Sequence, residues 1–202
     1  NKSHSRQSAS IQGCRQLFFD QTFFLRDHVR LTLPVREYLG EALSTGRIPE
    51  WAGIGLGIPF AANPTNMVGY PPAWLVAIAP GPLGVDLLLA LHLFGATLGM
   101  AALARRLGAE GFGQALAGTA FACSGYVTSV LMNGVPLYSV GWLPWVAWGV
   151  DRVVAGDGER APSMRERLSA GWVLSALAAG QIASGDPAAS VTTALVAGGV
   201  LL

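Results

Sequence analysis

From residue 83 to residue 202 the chain alternates long apolar stretches with short polar turns, whereas residues 17 to 72 mix aromatic, charged, Pro and Gly positions with no long apolar run. Apolar stretches of about 20 residues match the hydrocarbon thickness of a bilayer. The stretches fall at 83–104, 112–132, 137–150, 168–184 and 188–202, the last three short or truncated. They predict an all-α, polytopic helical membrane protein of about five spans. Residues 1–82 form its long extra-cytoplasmic first loop, and residues 83–202 its transmembrane region.

Within the polar part, Val35, Leu39, Ala42 and Leu43 fall at i, i+4, i+7 and i+8, with Arg36, Glu37 and Glu41 on other faces. That spacing predicts a short amphipathic helix at the interface. Thr32 or Leu33 precedes it, Pro34 fits its first turn and Gly46 closes it. Residues 46–72 are too rich in Pro and Gly for a continuous helix, and Trp51, Phe60 and Tyr70 stud them. An ordered loop packed on a membrane surface is expected there. Residues 73–79, enclosed by Pro72 and Pro80, are too short to span and read as a re-entrant or interfacial turn of helix.

Composition supports the lipid reading. Only 12% of residues are charged, 51% are hydrophobic and the mean hydropathy is +0.44, against about 25% charged in soluble domains. The net charge of +1, with a single Lys and no basic stripe, argues against a nucleic-acid partner. Cys14 and Cys123 lack ligand-spaced partners, so neither a disulfide nor a zinc site is expected. The chain starts without Met and stops inside an apolar run, and residues 1–16 have no signal-peptide core. The expectation is a piece of a larger membrane protein with its first span upstream of residue 17.

Arg105-Arg106 and the turn bearing Arg152, Arg160, Arg165 and Arg167 fall on one side under this count. The positive-inside rule then makes that side cytoplasmic and turns residues 1–70, 133–136 and 185–187 outward. Asp86 and His92 are ionisable groups inside a span, which marks them as functional candidates. Trp142, Trp145 and Trp148 share one broad face, and Gly95 and Gly99 make a small-residue step for close helix contact.

One ordered set of residues runs Arg26-Asp27, Pro34-Val35-Arg36-Glu37, Thr45-Gly46-Arg47-Ile48-Pro49-Glu50-Trp51, Gly57-Ile58-Pro59, Tyr70-Pro71, Leu91-His92, Ser124-Gly125, Trp142-Leu143-Pro144 and Gly185-Asp186-Pro187. It resembles the bacterial YfhO-like membrane proteins over about residues 23–190. The resemblance implies a GT-C type glycosyltransferase of the bacterial cytoplasmic membrane, taking sugar from a polyprenyl-phosphate donor on the outer face. It also implies a catalytic acidic residue in the first outer loop, here Asp27. The late loop departs from the family's G-H-P pattern, because Asp186 stands where His is usual.

Such a transfer needs a carboxylate to orient or deprotonate the acceptor hydroxyl, and a cation to hold the departing phosphate. Asp27 supplies the first. Arg26, Arg30 and Arg36 are the candidates for binding the donor phosphate, with Trp51 and Tyr70 lining the sugar and His28 a further substrate-binding candidate. No cofactor is expected. A divalent ion would have only Glu37, Glu41 and Glu50 as further ligands in the loop. The rival reading is a non-catalytic membrane protein of transport or lipid handling, whose loop is a gate or docking surface.

Overall fold

A computed structural model describes residues 31–53, 56–131, 134–156 and 161–199. Among these residues the protein is all-helical, with one isolated antiparallel bridge, Ala52 to Ile58, closed by two N–H···O bonds of 2.9 Å. Helix α1 (Leu33–Ser44) carries Pro34 in its first turn. It ends where the Gly46 N–H reaches Leu43 O at 2.9 Å with φ +71°. Pro71–Trp74 is a 3-10 turn that leads directly into the four-residue α2 (Leu75–Ile78), the short helix expected between Pro72 and Pro80.

Helix α3 (Pro82–Arg106) has 25 residues, and an 18-residue window within it has a mean hydropathy of 2.0. At 1.5 Å per residue it is about 37 Å long. Among the described residues it is the one helix long and apolar enough to cross a membrane. The other expected spans are not continuous helices of that kind. The second is broken into α4 (Gly111–Ala122) and α5 (Gly125–Leu131), because Ser124 leaves the helix and its hydroxyl accepts from Val127 N, the competing bond that small hydroxyl residues offer a helix terminus.

The third is broken into α6 (Val135–Val140) and α7 (Leu143–Ala155). Pro144 has no N–H to continue the ladder back to residue 140, so a turn at Gly141-Trp142 intervenes. Helix α8 (Met164–Ala183) opens on a capping box between Ser163 and Glu166. Its first turn carries Arg165, Glu166 and Arg167, which shortens the apolar part. Helix α9 (Pro187–Gly199) follows Asp186, whose Oδ1 accepts from Ala188 N and Ala189 N at 3.0 and 3.3 Å.

The turns sort to two ends. At one end Arg106 donates to the Asp151 carboxylate and to Gly156 O, and Arg152 lies 4.9 Å from the centroid of the Trp148 ring. At the other, Gly185 is pressed against Pro64 and Thr65. The Arg-rich turns thus share an end, as their sequence positions predict. The buried cluster joins the polar loop to the helices: Leu39, Ala52, Phe60, Met67 and Tyr70 pack with Val85, Leu88, Leu137 and Tyr138. This core crosses the expected domain boundary at residue 82.

Away from that core the helices show apolar surface. Leu83, Leu87, Leu91, Phe94 and Leu98 make a continuous stripe along α3, each between 42% and 63% exposed. Phe112, Trp172 and Leu195 extend exposed apolar surface onto α4, α8 and α9.

Candidate functional site

The Pro64–Asn66 3-10 turn forms because Asn63 Oδ1 accepts from both Thr65 N (3.1 Å) and Thr65 Oγ1 (2.8 Å). Asn66 Nδ2 donates to Phe60 O at 2.7 Å, and Met67 takes a left-handed conformation, φ +57°. Arg36 of α1 holds the turn from beneath. Its Nη1 donates to Asn66 O (2.5 Å), and its Nη2 to Thr65 O (2.7 Å) and Met67 Sδ (2.9 Å).

Arg36 is 1% exposed. This corrects the expectation that it lies on a polar face. It stands three and seven residues before Leu39 and Leu43, so the helical period puts it on their side. Burial lowers its pKa to about 10, opposed by the nearby Tyr138 phenol, so the guanidinium stays a cation at neutral pH. Among the described residues no carboxylate pairs with it, and its Nε–H has no acceptor. The Tyr138 hydroxyl, also fully buried, has no partner either.

A second polar chain runs beside this one. Trp142 Nε1 donates to the Tyr70 hydroxyl at 2.8 Å, and that hydroxyl is 2.6 Å from His92 Nε2. His92 Nδ1 is 2.7 Å from Leu88 O. A carbonyl only accepts, so the proton sits on Nδ1, and Nε2 accepts from Tyr70. Every polar atom of the chain is then satisfied. Burial pushes the Tyr70 phenol up to about 12, with the Trp142 bond acting the other way. The His92 ring also packs on Tyr138, with ring centroids 4.9 Å apart.

Tyr70→Phe is expected to leave Trp142 Nε1 and His92 Nε2 unsatisfied and to lower stability by about 2–4 kcal/mol. Thermal unfolding in detergent micelles measures it, and an unchanged Tm would show that the chain contributes nothing.

A third network ties the late loop to the same place. Ser139 Oγ meets Ser184 Oγ at 2.5 Å and accepts from Asp186 N at 3.2 Å, while Gln181 Nε2 donates to Ser139 O and Thr193 Oγ1. Gly185 has φ +96°, and a Cβ there would lie 2.5 Å from Pro64 O. Gly185→Ala is therefore expected to cost more than about 2 kcal/mol, from the left-handed backbone plus the clash with a carbonyl that cannot yield. A Tm equal to wild type would mean that the two loops do not touch. Asp186 caps α9 through its carboxylate.

The expected site residues divide three ways. Arg26, Asp27, His28 and Arg30 lie outside the described residues. Trp51 is at the surface, 59% exposed, its indole nitrogen lying where a Gly57 side chain would begin. Arg36 and Tyr70 are each 1% exposed, so Tyr70 and Trp51 do not face one common surface. Tyr138, Asn66 and Ser139 carry no motif and escaped the sequence reading. The signal available for them was position alone, since Tyr138 and Ser139 are polar within an apolar run. Trp145 explains the Gly95/Gly99 step: its Nε1 donates to Gly95 O at 2.8 Å, and its ring fills the space a Gly99 side chain would take.

Among the described residues no group of three His, Cys, Asp or Glu is placed to share a metal ion. No family model, curated protein or solved structure matches the chain.

Proposed function

We propose that this protein is a polytopic membrane glycosyltransferase of the GT-C kind, moving a sugar from a polyprenyl-phosphate donor to an acceptor on the outer face of the bacterial cytoplasmic membrane. The observation that carries the reading is Arg36: a buried cation with no carboxylate bonded to it among the described residues, set under a Pro/Gly-rich turn. A buried charge left uncompensated costs several kcal/mol. A site that exists to receive an anion accounts for its retention.

The exposed Leu83, Leu87, Leu91, Phe94 and Leu98 stripe supports the membrane setting, because water-facing apolar surface of that length is rare on soluble proteins. In this setting α3 spans, and the paired short helices α4/α5 and α6/α7 cross as broken segments, with Gly141 at the second break buried in protein. Asp27 orients or deprotonates the acceptor hydroxyl, Arg36 with Arg26 and Arg30 holds the phosphate, and Trp51 is on the sugar side. Tyr70 is buried and serves the fold, through the Trp142–Tyr70–His92 chain that stiffens the loop's base.

The test is transfer of labelled sugar from a polyprenyl-phosphate donor in membranes holding the protein, beside Asp27→Asn at equal abundance. Transfer by wild type alone supports the reading; donor binding with no transfer by either protein removes it.

The breaks at Ser124 and at Gly141-Trp142 favour a second reading, a transport or lipid-handling protein, since discontinuous helices beside buried polar groups are the usual architecture of membrane substrate sites. Uptake or flipping of a polyprenyl phosphate by a protein inert in transfer would select it.

A further inference from the structure

We infer that the open cavity at the Arg105 end of α3 binds one anionic phospholipid of the cytoplasmic leaflet, with its phosphate on Arg105 and an acyl chain along the exposed stripe of α3. The inference rests on the membrane setting proposed above and is independent of sugar transfer. The cavity measures about 540 Å³ between α3, α4 and α7, and is lined by Ala101, Ala102, Arg105, Arg106, Gln114 and Trp148. That lies within the range of small-molecule sites, about 300–1,000 Å³.

The lining changes character along the helix. Arg105 is exposed and makes no ion pair among the described residues, whereas Arg106 is held by Asp151 and Gly156 O. Among the described residues no carboxylate lines the cavity, so it presents positive charge. Gln114 Nε2 spends one hydrogen on Ala109 O at 2.8 Å and has a second to donate. Ala101 and Ala102 are the apolar part of the lining. Leu98 precedes Arg105 by two helical turns, which puts both on one face of α3, and the exposed Leu91, Phe94 and Leu98 lead along that face to the cavity. One leaflet's hydrocarbon is about 15 Å thick, close to the rise from Phe94 to Arg105.

Apolar stripe, small residues and then a cation follow the order of a phospholipid from acyl chain to phosphate. Basic pockets between membrane helices on the cytoplasmic side bind anionic headgroups. Trp148 stands at the same level, its ring 4.9 Å from the Arg152 guanidinium, as indoles do at the membrane–water boundary. A soluble anion would leave the stripe uncovered. A zwitterionic lipid would bring a second cation towards Arg105, and an anionic one brings none.

The full chain, purified in detergent, is titrated with dioleoylphosphatidylglycerol or dioleoylphosphatidylcholine, and bound lipid is counted by native mass spectrometry. Wild type is expected to bind one phosphatidylglycerol about fivefold more tightly than phosphatidylcholine, the preference that one arginine near an anionic surface supplies. Arg105→Gln is expected to bring that ratio to about one. Arg165→Gln removes the same charge from the exposed start of α8, outside the cavity, and is expected to keep the preference. Equal losses in the two variants would show a general surface charge and overturn the site, and so would displacement of the lipid by glycerol phosphate, which would make the ligand a soluble anion. A chain that stays in solution without detergent and binds neither lipid removes the membrane setting itself. One that needs detergent yet shows no preference removes the site and leaves that setting standing.

Discussion

Arg36→Ala is expected to lower stability by about 3–5 kcal/mol, from two orphaned carbonyls at 1–3 kcal/mol each and a large-to-small cavity, less the relief of an unpaired buried charge. The carbonyls are those of Thr65 and Asn66, and the cavity lies between α1 and the turn. For a chain of this size the change corresponds to a Tm lower by roughly 10 °C. The loss should be local first: Met67 is held in a left-handed conformation, and without the tether that turn has least to keep it. Limited proteolysis should cut near residues 63–67 before anywhere else in the helical part. Arg36→Lys keeps one donor group near the turn and should recover part of the loss. An Arg36→Ala protein with wild-type Tm and no new cleavage would show that the guanidinium does not hold the loop.

Under the proposed glycosyltransferase reading, Asp27→Asn is expected to reduce sugar transfer by about 10²–10⁴-fold, the range for losing a positioned general acid or base. The change is isosteric and removes only the charge and basicity, so donor binding should stay within a few-fold of wild type and the loss should appear in the rate at saturating donor. Arginines next to a carboxylate favour its ionised form, and Arg26 and Arg30 flank Asp27 closely in sequence. The group is thereby suited to accept a proton rather than give one. A variant that transfers sugar at the wild-type rate would remove Asp27 from the mechanism. A variant whose only defect is weaker donor binding would make it a positioning group.

The legible part of the fold was the part written in short-range chemistry. Pro34 and Gly46 bracket α1, Pro72 and Pro80 bracket the short α2, and Arg105-Arg106 close α3, all as their residue types require. The breaks at Ser124 and Gly141 were harder to see, because their signals sit inside apolar runs whose mean hydropathy reads as one span. Pro144 was visible, and its missing N–H was the clue. Arg36 was assigned to a polar face by its type, although its register with Leu39 and Leu43 placed it inside. The helical period outweighed the preference of a charged residue for water, because three acceptors met it there.

By itself the sequence determined the all-helical character, the one helix long and apolar enough to cross a membrane among the described residues, the helix ends and the pairing of the Arg-rich turns at one end. Each follows from composition or from residues within a few positions of one another. Only the tertiary structure decided that Arg36 would be buried beneath Thr65 and Asn66, that Tyr70 would meet His92 and Trp142, and that Tyr138 would be buried with its hydroxyl unbonded. Those contacts join residues 22 to 72 positions apart in the chain. No periodicity or motif encodes such partners: hydrogen bonding is directional and short, so it is settled where the packed backbones bring donors and acceptors within about 3 Å.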